Sequence, residues 1–324
     1  MSPRRGMRLV AASLAAALAI PALSGCGVLS DSAGSGGSSD GKLRLALNNT
    51  SASLAAVVAD KKGFFKKAGL KVTTSVFTDI TKIPPALGKQ FDIGFGVQPM
   101  MINATAQGLP LTMVSGNEFT TVKHPEIMLV TRKDSGITSA EDLAKARLGA
   151  PTLTGNLHLG TLFWLKKNGV DPESVNSVQV ATPTMIDQLK AGKIDVAEMQ
   201  QPFINLAKSK GLTTVDYPLS AVGDPAQLSS WQSDRHWAAD NASKVEKFKS
   251  ALDDARAWMA DNDEETREIL ATFTKLPPEV VANSPLPEFT TETNKQSVEQ
   301  WDKVMRGVTD FKAKVDYDKL VFRP

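Results

Sequence analysis

The sequence predicts an α/β protein of two similar lobes, with mainly parallel sheets flanked by helices and a ligand cleft between the lobes. Three observations predict it. The chain has 324 residues, more than one compact core usually absorbs. Arg44, Asp92, Gln98-Pro99 and Gly108 recur as Arg147, Asp195, Gln201-Pro202 and Gly211, each 103 positions later. Within each repeat, short aliphatic strands alternate with amphipathic helices that stop at glycine, the pattern of a largely parallel sheet covered on both faces.

The amino end reads differently from the body. Arg4, Arg5 and Arg8 precede an apolar stretch over residues 9–23, broken by Pro21 and followed by Leu23-Ser24-Gly25-Cys26. About 15 apolar residues fall short of the roughly 20 that span a bilayer, so residues 1–25 read as an export signal peptide. Leu-Ser-Gly-Cys resembles the lipobox of bacterial lipoproteins. The resemblance implies cleavage before Cys26, acylation of its sulfur with a chain such as palmitate, and anchorage to the outer face of the cytoplasmic membrane. Arg4-Arg5 leaves twin-arginine export open beside the general secretory route. Residues 26–41, with the run SDSAGSGGSSDG, form a flexible Gly/Ser linker. Loss of residues 1–25 removes three Arg and no acid, leaving 34 basic and 35 acidic residues and a net charge of −1. That balance excludes a nucleic-acid footprint. Without a second cysteine, the mature chain forms no internal disulfide.

In the body, residues 43–47 and 147–150 are short apolar strands that run into the polar loops NNTSAS and PTLTGN. A helix follows each, over residues 54–67 and 157–167, capped by Gly69 and Gly169 in the left-handed conformation. Next, each repeat has a helix ending near Gly88 or Gly192 and a strand starting at Asp92 or Asp195. Pro99 and Pro202 then open a helix, because proline is best tolerated in the first turn. Trp258, at helical spacing within residues 251–259, reads as core.

Ligands of open α/β sheets sit beyond the carboxyl ends of the strands, where helix N-termini offer unpaired N–H groups. The expected lining is residues 48–53, 96–98, 115–118, 152–158 and 198–201. Its candidate ligand-binding residues are Asn49, Thr50, Ser51, Gly96, Gln98, Asn117, Glu118, Thr154, Gly155, Asn156, His158, Glu198, Gln200 and Gln201. Ser51, Thr154, Gly155 and Asn156 have the donors for an oxyanion, and equally the chemistry of helix caps. His158 is open to two roles, donor to a solute or solvated capping residue. Glu118 and Glu198 are expected just past strand ends; facing inward they repel an anion and favour N–H donors or positive charge, and turned outward or paired with Lys they do neither. No Arg falls in these segments, so a bidentate oxyanion clamp is not evident.

The run ADKKGFFKKAGLKV over residues 59–72 resembles a signature of the substrate-binding proteins of sulfonate, taurine, nitrate and thiamine-precursor ABC importers. Further matches are FDIG at 91–94, AQGLPL at 106–111, ITSAEDL at 137–143 and AGKIDV at 191–196. The resemblance implies the type II periplasmic binding protein fold, with lobe one over residues 42–128 and 232–324 and lobe two over 129–231. It projects one crossing strand onto residues 127–131, a second near 228–231, and a helical carboxyl-terminal segment returning to lobe one. It implies a monomeric extracytoplasmic lipoprotein that captures a small organic or oxyanion solute (sulfonate, nitrate, pyrimidine or aromatic acid) and delivers it to an ABC permease. No enzyme is expected: the body has no nucleophile elbow, dinucleotide fingerprint or P-loop. His124, His158 and His236 lack short-range ligand spacing, so neither metal nor cofactor is expected. An enzyme or sensory lipoprotein on the same fold is the alternative.

Overall fold

The computed structural model describes residues 41–323; Cys26, the signal peptide and the linker up to residue 40 lie outside the described residues. Along the chain the strands are β1 (Lys42–Asn48), β2 (Lys71–Phe77), β3 (Ile93–Gly96), β4 (Leu111–Gly116), β5 (Glu118–Thr120) and β6 (Ile127–Arg132). They continue as β7 (Arg147–Ala150), β8 (Asn176–Gln179), β9 (Val196–Gln200), β10 (Leu212–Thr214), β11 (Ala226–Gln227), β12 (Ser230–Asp234) and β13 (Glu288–Phe289).

Two five-stranded sheets carry the fold, in the orders β2-β1-β3-β12-β4 and β8-β7-β9-β6-β10. In the first, β1 runs parallel to β2 and β3, and β12 is antiparallel to β3 and β4. In the second, β7 runs parallel to β8 and β9, and β6 is antiparallel to β9 and β10. The 103-residue spacing therefore extends to the reversed strands, since Ile127 opens β6 and Ser230 opens β12. Each half of the chain sends its last strand into the other half's sheet. Between the two sheets β5 pairs with β11 and β13 in a small third sheet.

The repeated Arg and Asp are partners. Asp92 Oδ2 accepts the Arg44 backbone N–H at 2.7 Å, and its Oδ1 accepts Arg44 Nη2 at 2.6 Å. Asp195 does the same for Arg147, with the backbone N–H and Nη2 both at 2.9 Å. Each guanidinium also reaches a backbone carbonyl just upstream, that of Lys89 or Gly192. The pair thus clips the first strand of each repeat to the third at the end away from the cleft.

The helices match expectation with two corrections. The helix expected over residues 54–67 is two, Leu54–Lys61 and Phe64–Lys67, because Gly63 adopts φ +77° between them. The helix expected before Gly88 is a pair of 3-10 turns, Ile80–Lys82 and Pro84–Ala86. Pro84-Pro85 explains the second correction, since two consecutive prolines lack the backbone N–H donors that a continuing helix needs. The equivalent segment of the second repeat does form a helix, Met185–Lys190. The two Gln-Pro landmarks also differ: Gln98 itself starts the helix Gln98–Ala106, whereas Pro202 immediately precedes Phe203–Ser209.

Alternate residues of the second sheet face two separate cores. Val130, Ala197 and Met199 pack with Ile186, Leu189 and Ile204, while Leu129, Leu148 and Val196 pack with Leu143, Trp164 and Leu165. The first sheet is covered by the helix Ala242–Asp261, where Phe248 stacks on Phe65 and meets Trp231 edge-on at 5.5 Å. Trp258 on that helix is half-buried against the same core, with Lys62 Nζ 4.5 Å from its ring centre. The helix Lys295–Val308 buries Trp301, whose indole N–H donates to the Gln227 carbonyl at 2.8 Å, and packs on both Gln98–Ala106 and Asn156–Lys167.

The exposure of the two clips differs: the Asp92 side chain is 8% exposed and that of Asp195 22%. Asp92→Ala is therefore expected to cost on the order of 2 kcal/mol of stability and Asp195→Ala about 1 kcal/mol, measured by denaturant unfolding.

Candidate functional site

A cavity of about 270 Å³ lies between the carboxyl ends of the two main sheets. The first sheet contributes Asn48, Asn49 and Thr50 from the end of β1, residues 77–80 from the end of β2, and Phe95 and Val97 around the end of β3. The second contributes Pro151 and Thr152 after β7, Gln179 and residues 181–183 after β8, and Gln200 and Phe203 after β9. Matching strand ends of the two repeats thus form opposite walls. Glu118, Ile127, Leu228 and Ser229, from the connections between sheets, complete the lining with Asn156 and Leu157.

Of the candidates read from the sequence, Asn49, Thr50, Glu118, Asn156 and Gln200 line this cavity. The others stand behind it or away from it. Ser51 is buried and its hydroxyl donates to the Gln201 carbonyl at 2.8 Å, a bond from one sheet's loop to the other's. Gly96 lies inside the first sheet, where a Cβ would collide with the Gln232 amide. Gln98 and Gln201 are buried, with side-chain atoms that have no hydrogen-bond partner. Asn117 Nδ2 donates to the Ala52 carbonyl and Ser229 Oγ, bracing the wall from behind. Thr154 is exposed and Gly155 precedes the helix Asn156–Lys167.

Glu198 corrects an expectation of position. It lies inside β9, not past its end, because the strand continues to Gln200. Side chains two apart share a face of a strand, so Gln200 takes the place nearer the cavity. Glu198 is fully buried beneath it, with Oε1 2.9 Å from His158 Nδ1. His158 and Glu198 are paired off the lining.

Glu118 is the buried acid of the wall, 1% exposed. Gln200 Nε2 donates to both of its carboxylate oxygens at 2.9 Å, across the gap between the sheets. Burial pushes the Glu118 carboxyl up to about 8 from the ordinary 4.5, against the smaller opposing effect of the Gln200 hydrogen bond. Glu126, also buried, is raised well above its ordinary value by desolvation first and then by the negative charge of Glu118 and Glu288. Asn156 Nδ2 donates to the Leu228 carbonyl at 2.8 Å, tying the helix start of the second repeat to the connecting segment.

Sequence reasoning missed much of the apolar wall, including Phe77, Ile80, Phe95 and Phe203, and the acid Asp79. The rule that ligands lie beyond strand ends applies as much to β2 and β8 as to β1, β3, β7 and β9. Applied to the strand after Gly69 and to the one after Gly169, it points to residues 77–80 and 179–183. Among the described residues no cluster of three or more His, Cys, Asp or Glu is placed to hold a metal ion, and no helix is long and apolar enough to cross a membrane.

A family model described as "NMT1/THI5 like" matches residues 50–266. The chain is 27% identical over 225 residues to a protein of Brachyspira hyodysenteriae that carries the name of an ABC transporter periplasmic binding protein, aligning 65% of this chain with 63% of that one. It is 26% identical over 217 residues to the taurine-binding periplasmic protein of Escherichia coli, covering 66% of each. The chain thus spans slightly under two thirds of the length of these curated relatives. Among solved structures it is similar to the periplasmic aliphatic sulphonate binding protein SsuA of Escherichia coli, with a TM-score of 0.70 at 17% identity over 81% of this chain and 90% of that one.

The buried acids give the ligand-free protein a pH dependence of definite sign. Between 4.5 and about 8 the folded state holds the Glu118 proton that the unfolded chain has released, so stability falls as pH rises through this window. Thermal denaturation from pH 5 to 9 should record a falling Tm. Glu118→Gln should flatten the fall and raise the Tm at pH 9 by about 3 °C or more.

Proposed function

The chain belongs to the NMT1/THI5-like family and has the fold of periplasmic binding proteins, and we propose that it is the extracytoplasmic solute-binding component of an ABC importer. The observation that carries this reading is the cavity whose walls come from matching strand ends of two sheets. A solute there touches both lobes at once. Its contacts add to the few polar bonds that already cross the gap, those of Ser51 with Gln201, Gln200 with Glu118 and Asn156 with Leu228. Ligand therefore favours the arrangement with the lobes together, and a permease distinguishes loaded from empty protein by that difference.

The lining suits a small organic solute. Its volume sits just below the usual range of about 300–1,000 Å³ for ligand pockets. Phe77, Phe95, Phe203, Leu157 and Ile127 offer an apolar body its surface, while Asn49, Thr50, Asn156 and Gln200 offer orienting hydrogen bonds. In this reading the protein is a monomer held at the outer face of the cytoplasmic membrane by a lipid on Cys26, and it binds its solute without transforming it. The taurine- and sulphonate-binding relatives support the class of activity.

Mass spectrometry of small molecules released from the purified protein tests the reading directly, followed by rebinding of the released molecule to the stripped protein. At about a hundredfold excess over Kd, rebinding should raise the Tm by roughly 5–10 °C. Thr152→Trp, which fills the cavity from a half-exposed loop, should weaken binding at least about tenfold while leaving the unliganded Tm within about 2 °C. A stripped protein that rebinds nothing, or Thr152→Trp that rebinds unchanged, would contradict the reading.

A further inference from the structure

Glu118 stands where the charge of a solute is read, an inference that rests on the solute-binding function proposed above. Among the described residues no Lys, Arg or His lines the cavity. The lining holds two carboxylates, and one of them is already satisfied: Asp79 Oδ1 accepts the Thr81 backbone N–H and hydroxyl, and Lys82 Nζ lies 3.7 Å from Oδ2. Glu118 has a single neutral donor, the Gln200 amide, which leaves acceptor capacity on both oxygens. The groups beyond it are also acidic, since Glu126 lies close enough to feel its charge and has neither carboxylate oxygen hydrogen-bonded, and Glu288 lies near Glu126. The nearest buried imidazole, His158, is engaged by Glu198 off the lining. An anion in this cavity meets ionised Asp79 and no lining cation, and its charge opposes ionisation of Glu118; a cation draws Glu118 into its carboxylate form, under-satisfied and buried, where the attraction is strong.

We propose that Glu118 is the specificity-determining residue of the cleft and that it selects a small organic cation, its carboxylate receiving a protonated amine or amidine while Phe77, Phe95 and Phe203 hold the apolar body. The aromatic faces add attraction for the same charge. The neutral Gln200 amide holds the carboxylate in place without cancelling its charge.

Proton exchange follows from the burial of the carboxyl. At neutral pH Glu118 is mostly protonated in the empty cleft. Arrival of a cation stabilises the carboxylate, the O–H bond breaks and the proton passes to solvent. Affinity therefore rises with pH up to about 8 and then levels. Glu126 lies beyond Glu118, and its own carboxyl is raised well above the ordinary value by burial first and then by the charge of Glu118. Asp79 is held below its ordinary value, first by the Thr81 hydroxyl, and stays ionised throughout.

Calorimetry of the stripped mature protein with benzamidine, benzoate and benzenesulfonate compares one ring carrying a cation or an anion. The wild type should bind benzamidine and neither anion. Glu118→Gln, with its fold checked by circular dichroism, should bind benzamidine on the order of a hundredfold more weakly. Wild-type titrations at pH 7 in two buffers of different ionisation enthalpy should show proton release on binding, and this measurement decides the matter should the variant not fold. Absence of benzamidine binding, binding unchanged in Glu118→Gln, binding without proton release, or preference for either anion would each overturn the assignment. Benzenesulfonate binding that is lost in Thr152→Trp would overturn it while leaving the solute-binding function standing.

Discussion

Each half of the chain completes the other's sheet, and the geometry of the cleft depends on that exchange. Because β6 leaves the first repeat to lie between β9 and β10, and β12 leaves the second to lie between β3 and β4, two connecting segments run side by side between the sheets. They hold the carboxyl ends of the parallel strands opposite one another. The reversed strands are equivalent to the residue, as Ile127 and Ser230 are 103 positions apart, so the opposition is symmetric and the cavity draws on the same three strand ends from either side.

Burial at this junction is uneven in its cost. The clips of Arg44 with Asp92 and Arg147 with Asp195 place charge at the far ends of the strands, where the guanidiniums are half in solvent and every carboxylate oxygen has a donor. At the cleft end the acids are drier and poorer in partners: Glu118 has one amide and Glu126 has none for its carboxylate. A protein organised for stability alone gains nothing from such groups. Glu118 stands in the lining of the cavity between the sheets, with Glu126 close enough to feel its charge.

The large features were legible in the sequence because they follow from periodicity and from a few residues with strong backbone preferences. Gly69 and Gly169 end helices with φ near +80°, Pro99 and Pro202 sit at helix starts, and the strands expected to start at Asp92 and Asp195 start one residue later, at Ile93 and Val196. What periodicity does not encode is less accessible. Glu198 and Gln200 have the same local pattern, and only the length of β9 decides which of them reaches the cavity. Ser51, Asn117 and Asn156 all look like ligand donors or caps, yet the first two are consumed by bonds to backbone and hydroxyl groups more than 60 positions away, which no local pattern records. The aromatic wall was hidden for the opposite reason, since Phe77 and Phe203 read as ordinary core until strand ends from the two lobes are set face to face.

The exchange of strands also orders events as the chain is made. β3 and β4 do not pair with each other: β12 lies between them, and β3 has β1 on its other side while β4 has no other strand beside it in the sheet. Until residue 234 has emerged, the first half therefore carries open strand edges on both, the kind of surface that invites pairing with another chain. In the extracytoplasmic reading proposed above, this argues for delivery to the far side of the membrane before folding begins, or for a companion that shields those edges during synthesis.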